Sequence, residues 1–207
     1  MDGAGDRLGQ AVSVAIEPVS GEALRDALPA LARLRIEVFR EWPYLYEGTL
    51  DYEARYIERF AGLEGSVIVL AWDGGEVIGA ATAAPLRGQN DDVTRPFLER
   101  GYDLASLFYF GESVLRRAYR GRGIGHAFFD RREAVARATP GVTHATFSGV
   151  VRAASDPRRD PGYRPLDGFW GKRGYAPVAG LVGHYSWTDI GDDEETSKPM
   201  QFWMRQL

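Results

Sequence analysis

Apolar and polar positions along the chain alternate in short runs, separated by stretches of helical spacing. Ser13 to Val19 alternates and predicts a first strand. From Gly21 to Val38 the apolar residues recur with helical periodicity (Leu24, Leu28, then Leu31, Leu34, Ile36 and Val38), but Pro29 predicts a break into two helical pieces. Trp42 to Gly48 is an aromatic-rich loop, and Asp51 to Phe60 predicts another helix. Ser66 to Trp72 has the continuous apolar character of a buried strand. Asp73-Gly74-Gly75 turns it back as a hairpin into Glu76 to Ala84. A polar loop over Gly88 to Thr94 precedes a short helix or turn at Pro96 to Arg100, and Leu107 to Arg116 predicts the next strand.

The second half continues in the same way. Gly123 to Ala138 predicts a helix with Ile124, Ala127, Phe128 and Val135 on one face, ended by Pro140-Gly141. Thr143 to Val151 predicts a strand, Arg152 to Pro165 a long charged loop, and Leu166 to Arg173 a short helix with Gly174 at its C′ position. Leu166, Phe169 and Trp170 share one face of that helix. Val182 to Ile190 and Lys198 to Gln206 predict two last strands joined by the acidic turn Gly191 to Glu195. The order is that of a mixed α/β domain spanning 12–207, behind a loose Gly- and Asp-rich tail at 1–11.

The densest chemistry lies where the fourth of these strands meets the long helix: Arg120-Gly121-Arg122-Gly123-Ile124-Gly125-His126. Alternate glycines let the backbone turn sharply and approach a ligand. The following helix aims its unpaired N–H groups and positive dipole end at that turn, the arrangement that binds phosphate. Arg120 and Arg122 add charge at the same place. The run is not a nucleoside-triphosphate loop, because no Lys-Ser or Lys-Thr follows Gly125. Nor is it the dinucleotide spacing Gly-x-Gly-x-x-Gly at the start of a βαβ unit.

Arg120 to Gly125 instead resembles the Arg/Gln-x-x-Gly-x-Gly/Ala signature of the GNAT N-acetyltransferase superfamily, and the likeness extends from about Val12 to the C-terminus. The stretches Leu34 to Gly48 and Tyr185 to Leu207 look like those of a bacterial subgroup. The resemblance implies a mixed, mostly antiparallel central sheet splayed at the acetyl-CoA site, with helices on both faces. It implies that Arg120, Gly121, Arg122, Gly123, Ile124, Gly125 and His126 hold the cofactor's pyrophosphate. It also implies that the strand before the loop parts from its neighbour at a bulge, where Val114 and Leu115 bond the pantetheine arm. The loop Trp42 to Tyr46 resembles the border of the acceptor site, with Tyr44 and Tyr46 against the acceptor and Glu41 and Glu47 attracting a cationic amine. Core packing is the alternative reading of that loop.

Acetyl transfer to an amine needs a fixed thioester, a neutral amine and donors for the developing oxyanion. An alkylamine with a pKa of about 10 is almost wholly protonated at neutral pH, so a base must take its proton. Glu112 is the candidate base. Alternation places it with Phe108, Phe110 and Val114, and an acid on an apolar face is unusual. A strand-end ion pair with an arginine such as Arg116 is the competing reading. Where the family carries an acid tyrosine on the late helix, this chain has Trp170, which has no useful proton to give. Tyr163 and Tyr109 are substitutes between which the sequence does not choose. Arg158 and Arg159 are candidates for the 3′-phosphate or simply solvated loop charges.

Composition narrows the partners. With no cysteine, disulfides, thiolate metal sites and a cysteinyl-enzyme are excluded. His126, His144 and His184 lack metal-ligand spacing, so no metal is expected. A net charge of −4 argues against nucleic acid, and no apolar run approaches a membrane span. The expected reaction is acetyl transfer from acetyl-CoA to a small-molecule amine in the cytoplasm, with a homodimer left open. The rival is a catalytically weak acyl-CoA-binding module.

Overall fold

The strands are β1 (Ala15–Val19), β2 (Val67–Asp73), β3 (Glu76–Pro85), β4 (Leu107–Leu115), β5 (His144–Val150), β6 (Ala176–Thr188) and β7 (Glu195–Gln206). The helices are α1 (Gly21–Phe39), α2 (Leu50–Ala61), α3 (Asp91–Leu98), α4 (Ile124–Ala138) and α5 (Asp167–Lys172). This computed structural model describes residues 14–207, and the tail expected at 1–11 lies outside them. One seven-stranded sheet runs β1-β2-β3-β4-β5-β7-β6. Every neighbouring pair is antiparallel except β4–β5. A parallel neighbour needs a crossover, and α4 provides it.

Two layers of helices cover the sheet. α1 and α2 seat Leu24, Leu31, Leu34, Ile57 and Phe60 against Ile68, Leu70, Ala80 and Ala84. α3 extends the same layer, with Val93 and Phe97 on Leu107, Tyr109 and Phe202. The other face carries α4 and the aromatic cluster Phe108, Phe110, Phe129, Phe147, Tyr175 and Trp203, against which Phe169 and Trp170 of α5 pack. Full burial of such side chains stabilises the fold by about 1.5–3 kcal/mol each.

β6 and β7 begin earlier than expected, at Ala176 and Glu195, and three helices differ more in kind. Pro29 does not split the first helix: α1 is continuous, with Pro29 inside it on the exposed side. The carbonyl it leaves unpaired can face water, while the buried stripe on both sides keeps one axis. The polar stretch before Pro96 is helical, because the Asn90 side chain caps the Val93 N–H at 3.3 Å and starts α3 within it. The buried stripe of α4 is Ile124, Phe128, Phe129, Arg132, Glu133 and Ala136, so two charged residues lie where only apolar ones were expected.

Candidate functional site

The site begins with an irregularity in β4. The register to β3 shifts so that Gly111 and Glu112 together oppose Thr82. A Cβ on Gly111 would meet Thr82 Oγ1 at 2.6 Å, so only glycine allows this approach. The bulge bends β4 away from β5. Their ladder holds only Leu107–His144, Phe108–Ala145 and Tyr109–Thr146, and then the strands fork.

The fork exposes peptide groups. Arg116 N–H bonds the Ile78 carbonyl, and Val114 pairs with Ala80 in the same register. Alternation therefore commits the Val114 peptide to β3 and turns those of Ser113 and Leu115 to the open edge. Ser113, which the sequence reasoning missed, takes the place expected of Val114. Val114 itself points its side chain into the α1–α2 core.

Beyond the open edge, β4 runs into the glycine loop. Gly121 and Gly123 adopt φ of 77° and 85°, the left-handed region that a side chain strains. Gly123 is the N-cap of α4 and has no side-chain cap, which leaves the first-turn N–H groups for a ligand. Ile124 anchors the helix in the core, and Gly125 faces Phe169. His126 rests on the Phe169 ring at 4.9 Å, with Nδ1 3.2 Å from the Arg173 guanidinium. The two motif arginines differ. Arg120 is turned back onto the Leu115 carbonyl (3.0 Å) and Glu41 (2.8 Å). Arg122 is exposed and lies over the Tyr119 ring, 5.2 Å from its centroid.

The opposite side of β4 carries the acids. The bulge places Gly111 and Glu112 on one face, so Glu112 shares a face with Val114 but lies opposite Phe108 and Phe110, which pack towards α4. The simple alternation expected for Leu107 to Leu115 therefore fails at Gly111. The Glu112 carboxylate, 7% exposed, pairs with Arg35 of α1 and accepts a hydrogen bond from Tyr56 of α2 at 3.2 Å. Its arginine is thus Arg35; Arg116 instead pairs with Glu37 and Glu76. Arg35 also pairs with the fully buried Glu53. Two carboxylates share one guanidinium. Burial alone would lower the Arg35 pKa, but Glu112, Tyr56 and Glu53 raise it above its ordinary value.

Tyrosines surround this cluster. Burial, and then the neighbouring Tyr109, Tyr163 and Glu112, push the Tyr44 hydroxyl pKa up. Burial and the Glu53 carboxylate do the same for Tyr46. Tyr109, at the apex of the fork, has its hydroxyl 3.5 Å from Ser148 Oγ and 3.3 Å from the Tyr185 hydroxyl. Tyr44 also packs on Phe39 and Trp187 at centroid distances of 4.8 and 5.9 Å.

A clasp that the sequence reasoning did not foresee positions Tyr44 and Tyr46. Arg152 is bidentate on the buried Asp189 (2.7 and 2.8 Å) and donates to the carbonyls of Pro43 (2.9 Å) and Tyr44 (2.8 Å). Lys198 reaches the same Asp189 at 3.2 Å and Arg158 at 3.0 Å. Several partners expected at a distance are occupied locally. Glu41 is paired to Arg117 and Arg120, Glu47 to Arg40, and Arg158 to Asp156 and Asp189. Glu41 and Glu47, expected to attract an amine, thus each lie in an ion pair with arginine at the surface. Trp170 lies over β5 on the α4 side, 5.0 Å from Phe147 and 5.1 Å from Trp203 between ring centroids, where a Cβ on Gly149 would meet it at 3.1 Å.

A sheet forked beside a strand bulge, with a glycine loop and a helix N-terminus at the open end, defines an acyl-coenzyme A transferase fold. The model of the acetyltransferase (GNAT) family matches residues 31–157, well over half of the chain. The chain belongs to that family, and acetyl-CoA is its cosubstrate. Solved structures agree in fold. An acetyltransferase from Thermus thermophilus is 17% identical, with a TM-score of 0.56 over 94% of this chain and 97% of that one. The ribosomal-protein-alanine N-acetyltransferase of Brucella melitensis is 14% identical, with a TM-score of 0.58 over 93% and 99%. Salmonella typhimurium yncA, solved with its cofactor acetyl-CoA, is 14% identical, with a TM-score of 0.59 over 94% of each chain. No curated protein sequence matches the chain. Among the described residues, no helix is long and apolar enough to cross a membrane.

Proposed function

We propose that this protein transfers the acetyl group of acetyl-CoA to a primary amine on a small molecule, by direct attack in a ternary complex. The observation that carries the reading is the fork between β4 and β5, which leads from unpaired peptide edges to the glycine loop. Bound there, acetyl-CoA supplies an activated acetyl thioester. Ser113 and Leu115 offer their peptide groups to the pantetheine arm, and the segment Arg120 to His126 receives the pyrophosphate, with Arg122 as the available cation. Arg120 acts by fixing the loop rather than by touching phosphate.

Glu112 is the base in this reading. It shares Arg35 with Glu53, so the cluster keeps one excess negative charge, which draws a protonated amine and can accept its proton. Tyr44 and Tyr46 line the acceptor side, and their closed aromatic setting supports a small amine over a protein chain. With Trp170 where an acid would stand, the thiolate leaves unaided, which a leaving-group pKa of about 8.5 permits. We place the activity in the cytoplasm and leave room for a homodimer.

One observation favours a second reading, a module that binds acyl-CoA with little turnover: Trp170 offers no proton and Arg35 holds Glu112. Two measurements separate them. Acetyl-CoA and coenzyme A should raise the melting temperature while ATP and NAD do not, because selective binding stabilises the folded state. Thiol release across a panel of amines should then show turnover. Binding without turnover selects the second reading, and no thermal shift with no calorimetric heat overturns both.

A further inference from the structure

α4 carries a buried charge for which the proposed reaction has no use. Arg132 is 1% exposed, and among the described residues no carboxylate pairs with it. Burial lowers its pKa to about 10. A hydrophobic side chain would fill the same space without that penalty. The guanidinium lies over the rings of Phe110 and Phe129, 4.5 and 4.8 Å from their centroids, and one nitrogen donates to its own helix at the Phe128 carbonyl (3.2 Å).

Its remaining donors converge on the bulge. One donates to the carbonyls of Thr82 (3.3 Å) and Glu112 (3.1 Å), the residues that face each other across the irregularity. The other donates to Ser113 Oγ at 2.8 Å. A single planar fork therefore ties β3 and β4 together at the point where β4 leaves β5. It also holds the residue whose peptide faces the open edge. A lysine, with one point charge, cannot reproduce that set.

We propose that Arg132 is a positioning residue for the pantetheine subsite, fixing the bulge so that the Ser113 and Leu115 peptide groups stay aimed at the open edge. The inference rests on the acetyl-CoA reading above. Without the guanidinium, the two carbonyls lose a buried donor, and the bulge is free to migrate along β4. A one-residue slip against β3 reverses which peptide groups face the edge. The glycine loop is set independently, by the backbone of Gly121 and Gly123 and by the end of α4.

The test separates the two halves of coenzyme A. Calorimetric titration of the full chain with acetyl-CoA, and with its nucleotide half, adenosine 3′-phosphate 5′-diphosphate, is compared for wild type, Arg132→Met and Arg132→Lys. Arg132→Met should weaken acetyl-CoA by about tenfold or more while the nucleotide half stays within about twofold. Arg132→Lys should fall between Arg132→Met and wild type. Should Arg132→Met fail to fold, Ser113→Ala removes one of the same contacts and should show the same selective loss, at about threefold. Equal weakening of both ligands, or of neither, overturns the inference, since a purely structural arginine would act on both alike. A wild-type chain that binds neither ligand overturns the acetyl-CoA reading itself, and the role of Arg132 with it.

Discussion

On the α4 side of β4, the site is one continuous stretch: Ser113 to His126 supplies the open edge, the turn and the helix end. On the α1–α2 side, the site is assembled from segments far apart in sequence. Arg35, Tyr44, Tyr46, Glu53, Tyr56, Glu112, Ser148 and Tyr185 meet only in the folded chain. The first side relies on backbone conformation, with two left-handed glycines and an uncapped helix. The second relies on buried ion pairs, Arg35 with Glu53 and Glu112, and Arg152 with Asp189. In the proposed reading, the part that receives a constant cofactor is built from main chain, and the part that meets a particular acceptor is set by side chains.

The largest expected effect tests the acceptor side. Glu112→Gln keeps the shape of the side chain and removes the proposed proton acceptor; loss of a general base typically costs about 10²–10⁴-fold in rate. The loss should appear in kcat at low pH and shrink as pH nears the pKa of the amine, since free amine needs no base. Acetyl-CoA affinity should hold, because the carboxylate faces away from the α4 side. A pH–rate profile with one accepted amine is the measurement, and an unaltered Glu112→Gln profile would remove Glu112 from the chemistry.

Next in size is the clasp. Arg152→Met leaves Asp189 buried with Arg158 at 3.0 Å and Lys198 at 3.2 Å, so the cost should reach at most the roughly 3 kcal/mol of breaking a buried pair outright. Chemical denaturation should read that loss, and the KM for the amine should rise as the Tyr44 segment loosens. The pH dependence has a definite sign. Burial alone would raise the Asp189 pKa, but Arg152 and Lys198 hold it below the ordinary carboxylate value. The folded pKa thus lies below the unfolded one, at about 3.9. The stabilisation is full above that range and is lost as pH falls through the folded value. Wild type and Arg152→Met should therefore converge in stability under acid, and a gap independent of pH would show that the ion pair is not its source.

The same contrast explains what was legible in advance. The succession of strands and helices along the chain, the hairpin at Gly74, the bounds of α4 and the glycine loop could be read from sequence, because each is encoded within a few neighbouring residues. The fork at β4 came only through family resemblance. Nothing in Gly111-Glu112 says that two residues will oppose one, and a single extra residue moved Glu112 to the other face from Phe110. Nothing in the sequence singled out Arg35, Arg132 or Arg152. Their partners lie far along the chain, and only tertiary packing brings them together. Pro29 misled for a related reason: local chemistry favoured a break, and the buried stripe on both sides outweighed it.

On the α4 side, the glycines should show a smaller cost in stability but a large one in binding. Gly123→Val forces a β-branched residue to φ of 85°, where the left-handed conformation costs about 1–2 kcal/mol, although the space around a Cβ is open. The fold should survive while coenzyme A binding is lost, because the side chain enters the ligand's space. Arg122→Ala should weaken coenzyme A by about 1.5 kcal/mol, the worth of a charge-assisted bond. Arg120→Ala should act on loop rigidity through the Leu115 carbonyl and Glu41. Titration of the three variants ranks them, and equal affinity in Gly123→Val and wild type would move the phosphate elsewhere.

The smallest expected effect lies at the border between the two sides. Trp170 stands where the family carries an acid, but its ring is seated on Phe147, Trp203 and the bare backbone of Gly149. Trp170→Phe removes part of that contact and should lower stability modestly, with no new pH dependence, since indole had no proton to lose. Trp170→Tyr keeps an aromatic ring and adds a hydroxyl with a pKa of about 10, able to donate to a thiolate. If the absence of an acid limits turnover, kcat should rise and gain an alkaline limb as the phenol ionises, while acetyl-CoA affinity stays near that of Trp170→Phe. If Trp170→Tyr instead tracks Trp170→Phe at every pH, departure of the thiolate is not limiting. In the proposed reading the next step to test is then the proton transfer to Glu112, which Arg35 holds.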